Sequence, residues 1–212
     1  MAKRTRPMAN PKPIRTEPKT EGPRLFIAAP LPGSAIDHLG HLLDDLSSRD
    51  LPVRWTAPNA LHLTLRFIGE TPIERAELLR MSFSNLAPKT GPIRLHTGRL
   101  GAFPNEKRPR VVWIGLAGQT DRLNELHRET GQMLDKLAFE REERSFRPHL
   151  TLGRARDSVD QLFPYQLTKA FEASSVQEIV AHPTEFPLSE VPLFRSHLEK
   201  SGARYEALAS VR

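Results

Sequence analysis

His62-Leu63-Thr64-Leu65 recurs unchanged as His149-Leu150-Thr151-Leu152, about 87 residues further along the chain. Each copy sits in a short, β-prone apolar run and follows a proline-containing turn. A strand sends alternate side chains to opposite faces, so histidine and threonine share one face of each copy while the two leucines anchor the other in a core. A tetrapeptide alone is a weak signal. Two identical copies in a chain long enough for two similar lobes point instead to a single site built from both.

The chemistry of such a site follows from its groups. Histidine titrates near pH 6.5, so a modest difference in surroundings holds one imidazole protonated and its partner neutral. In-line hydrolysis of a phosphodiester needs a base for the attacking water and an acid for the departing oxygen, each worth roughly 10²–10⁴-fold. The threonine hydroxyls are donors for the non-bridging oxygens, where negative charge accumulates. A strained cyclic phosphate suits this equipment, and no metal or other cofactor is required.

Outward from the motifs, the sequence reads as alternating short elements. Leu25 to Ala29 is a buried strand ended by Pro30 and Pro32. A helix capped by Ser34 follows, with Ile36, Leu39, Leu42, Leu43 and Leu46 at helical spacing. Val53 to Thr56 and Leu61 to Ile68 are strands, and Thr71-Pro72-Ile73-Glu74 opens a helix to about Leu86 through a capping box. Ile93 to Leu100 and Val111 to Leu116 form a hairpin, Thr120 to about Leu137 a helix, and Phe146 to Arg154 the second motif strand. Phe163 to Ala170 reads as a short helix, and Val176 to Ala181, Pro187 to Leu198 and Arg204 to Val211 as strands. The order strand, helix, motif strand thus occurs twice, as an internal duplication would give. Interleaved helices and hairpins favour an α+β architecture with antiparallel sheets.

Charge is unevenly distributed. Of the formal net charge of +6, five units belong to the stretch up to Arg24, which holds seven basic and two acidic residues with five prolines. Residues 1–23 therefore read as a basic proline-rich tail, and 24–212 as one bilobal domain. The tail is suited to salt-sensitive contact with RNA phosphates or to simple solvation. The chain has no cysteine, which excludes thiol nucleophiles, disulfides and cysteine zinc sites and fits a cytoplasmic location. No apolar run approaches the roughly 20 residues of a membrane span, and nothing suggests an obligate interface, so a monomer is expected.

Taken together, Arg24-Leu25-Phe26-Ile27-Ala28, the run from Leu61 to Glu70, Arg108-Pro109-Arg110-Val111-Val112-Trp113, Phe146 to Leu152, Ser196-His197-Leu198 and Arg204-Tyr205 resemble the 2H phosphoesterase superfamily. The nearest branch is the bacterial and archaeal RNA 2′,3′-cyclic phosphodiesterases, also called 2′-5′ RNA ligases. The resemblance implies two pseudo-symmetric lobes, each with an antiparallel sheet and flanking helices, around a central cleft. It implies hydrolysis of 2′,3′-cyclic phosphate ends of RNA, or of small cyclic nucleotides, to 2′-phosphomonoesters, with reversible 2′-5′ joining as a weaker activity. His62 then matches the proton donor to the leaving 3′ oxygen, His149 the base, and Thr64 and Thr151 the phosphate-binding threonines. Arg154, just past the second motif, stands where similar proteins place a phosphate-reaching cation.

Two further candidates come from strand position. Phe26 is either a core residue or a platform for a base, and Arg66 continues the His62 and Thr64 face if alternation holds, which would bring it to RNA. Arg110 and Arg147 flank the site in sequence only, and His38, His41, His96, His127, His182 and His197 read as structural or surface residues. Two rival readings remain: a metal-dependent hydrolase, disfavoured because no Asp or Glu stands at ligand spacing beside either motif, and a non-catalytic RNA-end-binding module using the same cleft.

Overall fold

In the computed structural model, which describes residues 22–86, 91–199 and 202–211, the apolar runs of the sequence become one mixed-order but wholly antiparallel sheet. The strands are β1 (Arg24–Pro30), β2 (Val53–Trp55), β3 (His62–Glu70), β4 (Ile93–Phe103), β5 (Val111–Gly118), β6 (His149–Ala155), β7 (Glu185–Leu188), β8 (Val191–Glu199) and β9 (Gly202–Val211). The helices are α1 (Gly33–Ser47), α2 (Ile73–Ser82), α3 (Thr120–Lys136), α4 (Phe163–Glu172) and α5 (Ser174–Ala181). The tail expected over 1–23 lies, apart from Gly22 and Pro23, outside the described residues.

The strands run in the order β7-β4-β5-β6-β3-β1-β8-β9, with β2 also on β6. The two motif strands are thus the middle pair. On one side of them lie β5, β4 and β7, on the other β1, β8 and β9, so the two halves repeat the same arrangement about the β3/β6 junction. The junction itself is narrow, a single antiparallel pair, Leu63↔Leu150. Beyond it, the edge of β6 is taken by β2, with Val53↔Ala155, Arg54↔Arg154 and Trp55↔Gly153.

Leu63, Leu65, Leu150 and Leu152 are each at most 3% exposed and join Leu25, Ile27, Val112, Ile114 and the helix leucines in one core running under both halves. Alternation leaves His62, Thr64, His149 and Thr151 half-buried on the opposite, uncovered face. Among the described residues no helix is long and apolar enough to cross a membrane.

Several local expectations are corrected. Residues Val176 to Ala181 belong to helix α5, not a strand: Val176, Ile179 and Val180 recur at helical spacing, and the helix packs beside α1, where Arg49 Nη2 donates to Ser175 Oγ. The Pro187 to Leu198 run is broken between Leu188 and Val191 into β7 and β8, which pair with different neighbours. Ser34 lies within α1, whose N-cap is Pro32, and no side chain caps it. Thr71 does not cap α2 either; its hydroxyl donates to Gly69 O while Pro72 holds the cap position. The second motif strand starts at His149, with the Pro148 carbonyl just before it still accepting from Leu116 N of β5.

Both motif strands carry a β-bulge in the same place. In β3 the register passes from Ala28↔Thr64 to Ile27↔Arg66, so Leu65 is passed over; in β6 it passes from Trp113↔Thr151 to Val112↔Gly153, so Leu152 is passed over. A bulge of this kind reverses the alternation downstream. Gly153 thereby turns to the core side, where a Cβ would lie 2.5 Å from Val53 Cγ1 and 2.9 Å from Trp55 Cε3. Gly153→Ala is expected to destabilise the protein by about 1–3 kcal/mol through overpacking, measured by chemical denaturation; an unchanged midpoint would show that β2 does not press on β6 in solution.

Candidate functional site

The Leu63↔Leu150 pair decides what meets what on the open face. In an antiparallel ladder it sets His62 across from Thr151 and Thr64 across from His149. The two histidines become diagonal neighbours, roughly 7–8 Å apart at the backbone, a spacing that leaves room for one phosphate between their ring tips.

Each ring is aimed by its own backbone. His62 Nδ1 lies 2.8 Å from Ala60 O, and His149 Nδ1 lies 2.6 Å from Arg147 O, in both cases the carbonyl two residues upstream. A carbonyl only accepts, so each Nδ1 carries its proton and each Nε2 is left for the cleft. Ala60 is presented by the 3₁₀ turn Pro58–Ala60, and Arg147 precedes Pro148, whose ring favours an extended conformation there.

Aromatic walls repeat the symmetry. His62 lies 5.4 Å from the Phe26 ring and 5.3 Å, edge-on, from Tyr205; His149 lies 4.9 Å, edge-on, from Phe103 and 6.3 Å from Trp113. The Trp113 indole fits only because its partner across the ladder is Gly101, where a Cβ would come within 2.4 Å of the ring. Phe103, Trp113 and Tyr205 were not among the site residues expected from sequence. Their signal was weak, an aromatic on a strand face without a repeat to mark it.

Burial pushes both imidazoles below their ordinary value, against a smaller opposite pull from the carbonyls that accept from Nδ1. The Arg154 guanidinium lowers both further, and His62 also feels the charge of His149. One cation acting on both rings places Arg154 beside the space they share. Its position depends on the β6 bulge, because strict alternation from Thr151 would have sent Arg154 to the core side.

The same device removes Arg66. Its register partner is Ile27, a core residue, and its guanidinium donates to the carbonyl of Glu140 in the segment after α3. Phe67 takes the place that Arg66 was expected to hold, opposite Phe26, half exposed at 49% and with the Arg24 guanidinium 5.0 Å above its ring. Phe26 is itself only 4% exposed, stacked on Phe194 at 5.2 Å and against Tyr205, so its ring forms the wall behind His62. Thr64 and Thr151 are half-buried, and among the described residues neither hydroxyl has a protein partner. His127 stacks on Phe146 at 4.1 Å and His197 pairs with Glu206 at 2.8 Å, consistent with structural roles. Among the described residues no group of three or more His, Asp or Glu could hold a metal ion.

An NMR titration should place the imidazoles of His62 and His149 below pH 6.5, and Arg154→Gln should move both upward together. A response from one ring alone would mean that Arg154 serves only that ring.

Comparison with known proteins gives the chain a family and a fold. The model of the LigT-like phosphoesterase family matches twice, over residues 30–113 and 114–205, one match for each motif. The RNA 2′,3′-cyclic phosphodiesterase of Methanothermobacter thermautotrophicus is 30% identical over 86% of this chain and 94% of its own length. That of Geobacillus stearothermophilus is 31% identical over 87% of this chain, which spans 55% of the length of that protein. Among solved structures, a Thermus thermophilus protein superposes with a TM-score of 0.69 at 25% identity, covering 89% of this chain and 96% of that one. Escherichia coli LigT complexed with 3′-AMP shares the fold, with a TM-score of 0.65 at 22% identity over 90% of this chain and 97% of that one.

Proposed function

Because the chain belongs to the LigT-like phosphoesterase family, we propose that it hydrolyses the 2′,3′-cyclic phosphate ends of RNA, or small 2′,3′-cyclic nucleotides, to 2′-phosphomonoesters. The observation that carries this reading is the paired anchoring of His62 and His149 through Nδ1, which leaves each Nε2 to the open face, with Arg154 acting on both rings.

The cyclic phosphate sits between the rings, its non-bridging oxygens taking the Thr64 and Thr151 hydroxyls and the Arg154 guanidinium. His149 Nε2 removes a proton from water as the water oxygen bonds to phosphorus. The 3′ oxygen leaves on the opposite side and takes the proton of His62 Nε2, giving a 3′-hydroxyl and a 2′-phosphate. The two rings end with their proton states exchanged, and solvent restores them. With a 5′-hydroxyl in place of water as the attacking group, the same forward exchange joins RNA ends 2′-5′ and frees the 3′-hydroxyl; its reverse cleaves that linkage and restores the cyclic phosphate. Every group in this scheme is a side chain of the cleft, and the proposed reaction calls on no metal. The protein acts as a cytoplasmic monomer in this reading.

Lowered imidazole values explain how the site waits in its resting state. Both rings are mostly neutral at pH 7, and the arriving anionic phosphate raises the proton affinity of the ring that must act as acid.

Replacing His62 or His149 singly with alanine should lower kcat/KM on a 2′,3′-cyclic nucleotide by about 10²–10⁴-fold, while a chelator leaves the wild-type rate unchanged. Full activity in either variant contradicts the mechanism. The pH profile of kcat/KM should be a bell: above both imidazole values the acid is lost, below both the base is lost. Since both lie under their ordinary value of about 6.5, the maximum is expected on the acid side of pH 6.5. A maximum above pH 7.5 would contradict the burial and Arg154 effects.

A further inference from the structure

Beside Arg154 stands a second cation, Arg54, to which no carboxylate among the described residues provides a counter-charge. Arg54 of β2 is the direct register partner of Arg154 on β6, so the two guanidinium groups rise side by side from the same face of the sheet. That face is the one with the histidines. The flanking residues Val53 and Trp55 point the other way, toward the vacant Cβ position of Gly153 on the core side. Both arginines are exposed, and among the described residues neither has a carboxylate, hydrogen-bond or aromatic partner.

Like charges directly opposite on neighbouring strands, roughly 4.5–5.5 Å apart at Cβ, destabilise a sheet. Other arginines of the chain have an acid beside them, Arg49 with Asp45, Arg80 with Glu77, Arg94 with Glu185 and Arg128 with Glu125, or a carbonyl, as Arg66 and Arg75 do. An unpaired cross-strand arginine couple next to the reacting centre is therefore a site that an anion completes. The two cations are not equivalent. Arg154 lowers both imidazoles, whereas Arg54 is not among the charges acting on either, which puts it one strand further from the reacting phosphorus.

We propose that Arg54 binds a second phosphate of the substrate, the internal phosphodiester next to the terminal phosphate held by Arg154, and so makes the enzyme favour oligoribonucleotides over single nucleotides. This rests on the RNA-end reading above and deepens it. A guanidinium fork reaches two phosphate oxygens at once, and each such contact adds about one ion to the salt dependence of binding.

The test compares two ligands that the enzyme does not cleave, a nucleoside 3′-phosphate and a dinucleotide with the same terminal phosphate plus one internal phosphodiester, titrated by calorimetry at several salt concentrations. Wild-type protein should bind the dinucleotide more tightly and with the steeper salt slope. Arg54→Gln should bring the dinucleotide-to-mononucleotide affinity ratio down by about 5–10-fold and remove the extra slope; Arg54→Lys should restore part of the ratio, and Arg128→Gln should leave it as in wild type. With the like-charge couple relieved, Arg54→Gln should also melt about 1–3 °C higher at low salt. A ratio that Arg54→Gln leaves unchanged overturns the proposal. Because the readout is binding, a ratio that falls as expected in a protein that fails to turn over a cyclic phosphate would uphold the second phosphate site and sink only the hydrolytic reading.

Discussion

A single buried register pair, Leu63 against Leu150, links the two halves of the sheet across the β3/β6 junction and fixes the register in which the motifs face each other. Both leucines are at most 1% exposed, so the pairing is held by apolar burial on the core side and not by the polar groups it positions. The consequence for the open face is strict. A slip of one residue would exchange the faces, sending the imidazoles into the core and the leucines to water. The meeting of the two motifs is thus as secure as the hydrophobic pattern beneath it.

On that junction the protein builds two nearly equivalent half-sites. Each offers an imidazole anchored to the carbonyl two residues upstream, a free threonine hydroxyl and an aromatic wall. Each motif strand also bulges after its threonine. Equivalence ends just past the bulge, where β3 has Phe67 and β6 has Arg154. The two sides of the cleft therefore differ at one position, Phe67 of β3 beneath the Arg24 guanidinium and the exposed Arg154 of β6, and in the proposed function the latter is a phosphate ligand. In the proposed reaction this asymmetry is what distinguishes the surroundings of the two histidines.

Most of the fold could be read from the sequence, because hydrophobic period and turn residues act locally. The motif strands, the hairpin, α1, α3 and the α+β class follow from the spacing of Leu39, Leu42, Leu43 and Leu46, of Leu123, Leu126 and Leu134, and from the paired H-x-T-x runs. Errors arose where tertiary context overrides local preference. The β-branched Val176, Ile179 and Val180 suggest a strand in isolation, yet their stripe is satisfied by packing a helix beside α1. Bulges leave no reliable local mark, so alternation misplaced Arg66, while Arg154 reached the cleft by a route that alternation does not predict. The cross-strand meeting of Arg54 with Arg154 is a property of pairing between distant segments and was invisible for the same reason.

The central claim is that one phosphorus lies between two Nε2 atoms, and the most direct measurement is a crystal structure with a nucleoside 2′,3′-cyclic vanadate bound, a five-coordinate mimic of the reacting centre. The account predicts the vanadium between the rings, with His62 and His149 Nε2 on opposite apical sides and the Thr64 and Thr151 hydroxyls on the equatorial oxygens. A vanadate held by one histidine alone, or seated away from both, would contradict it.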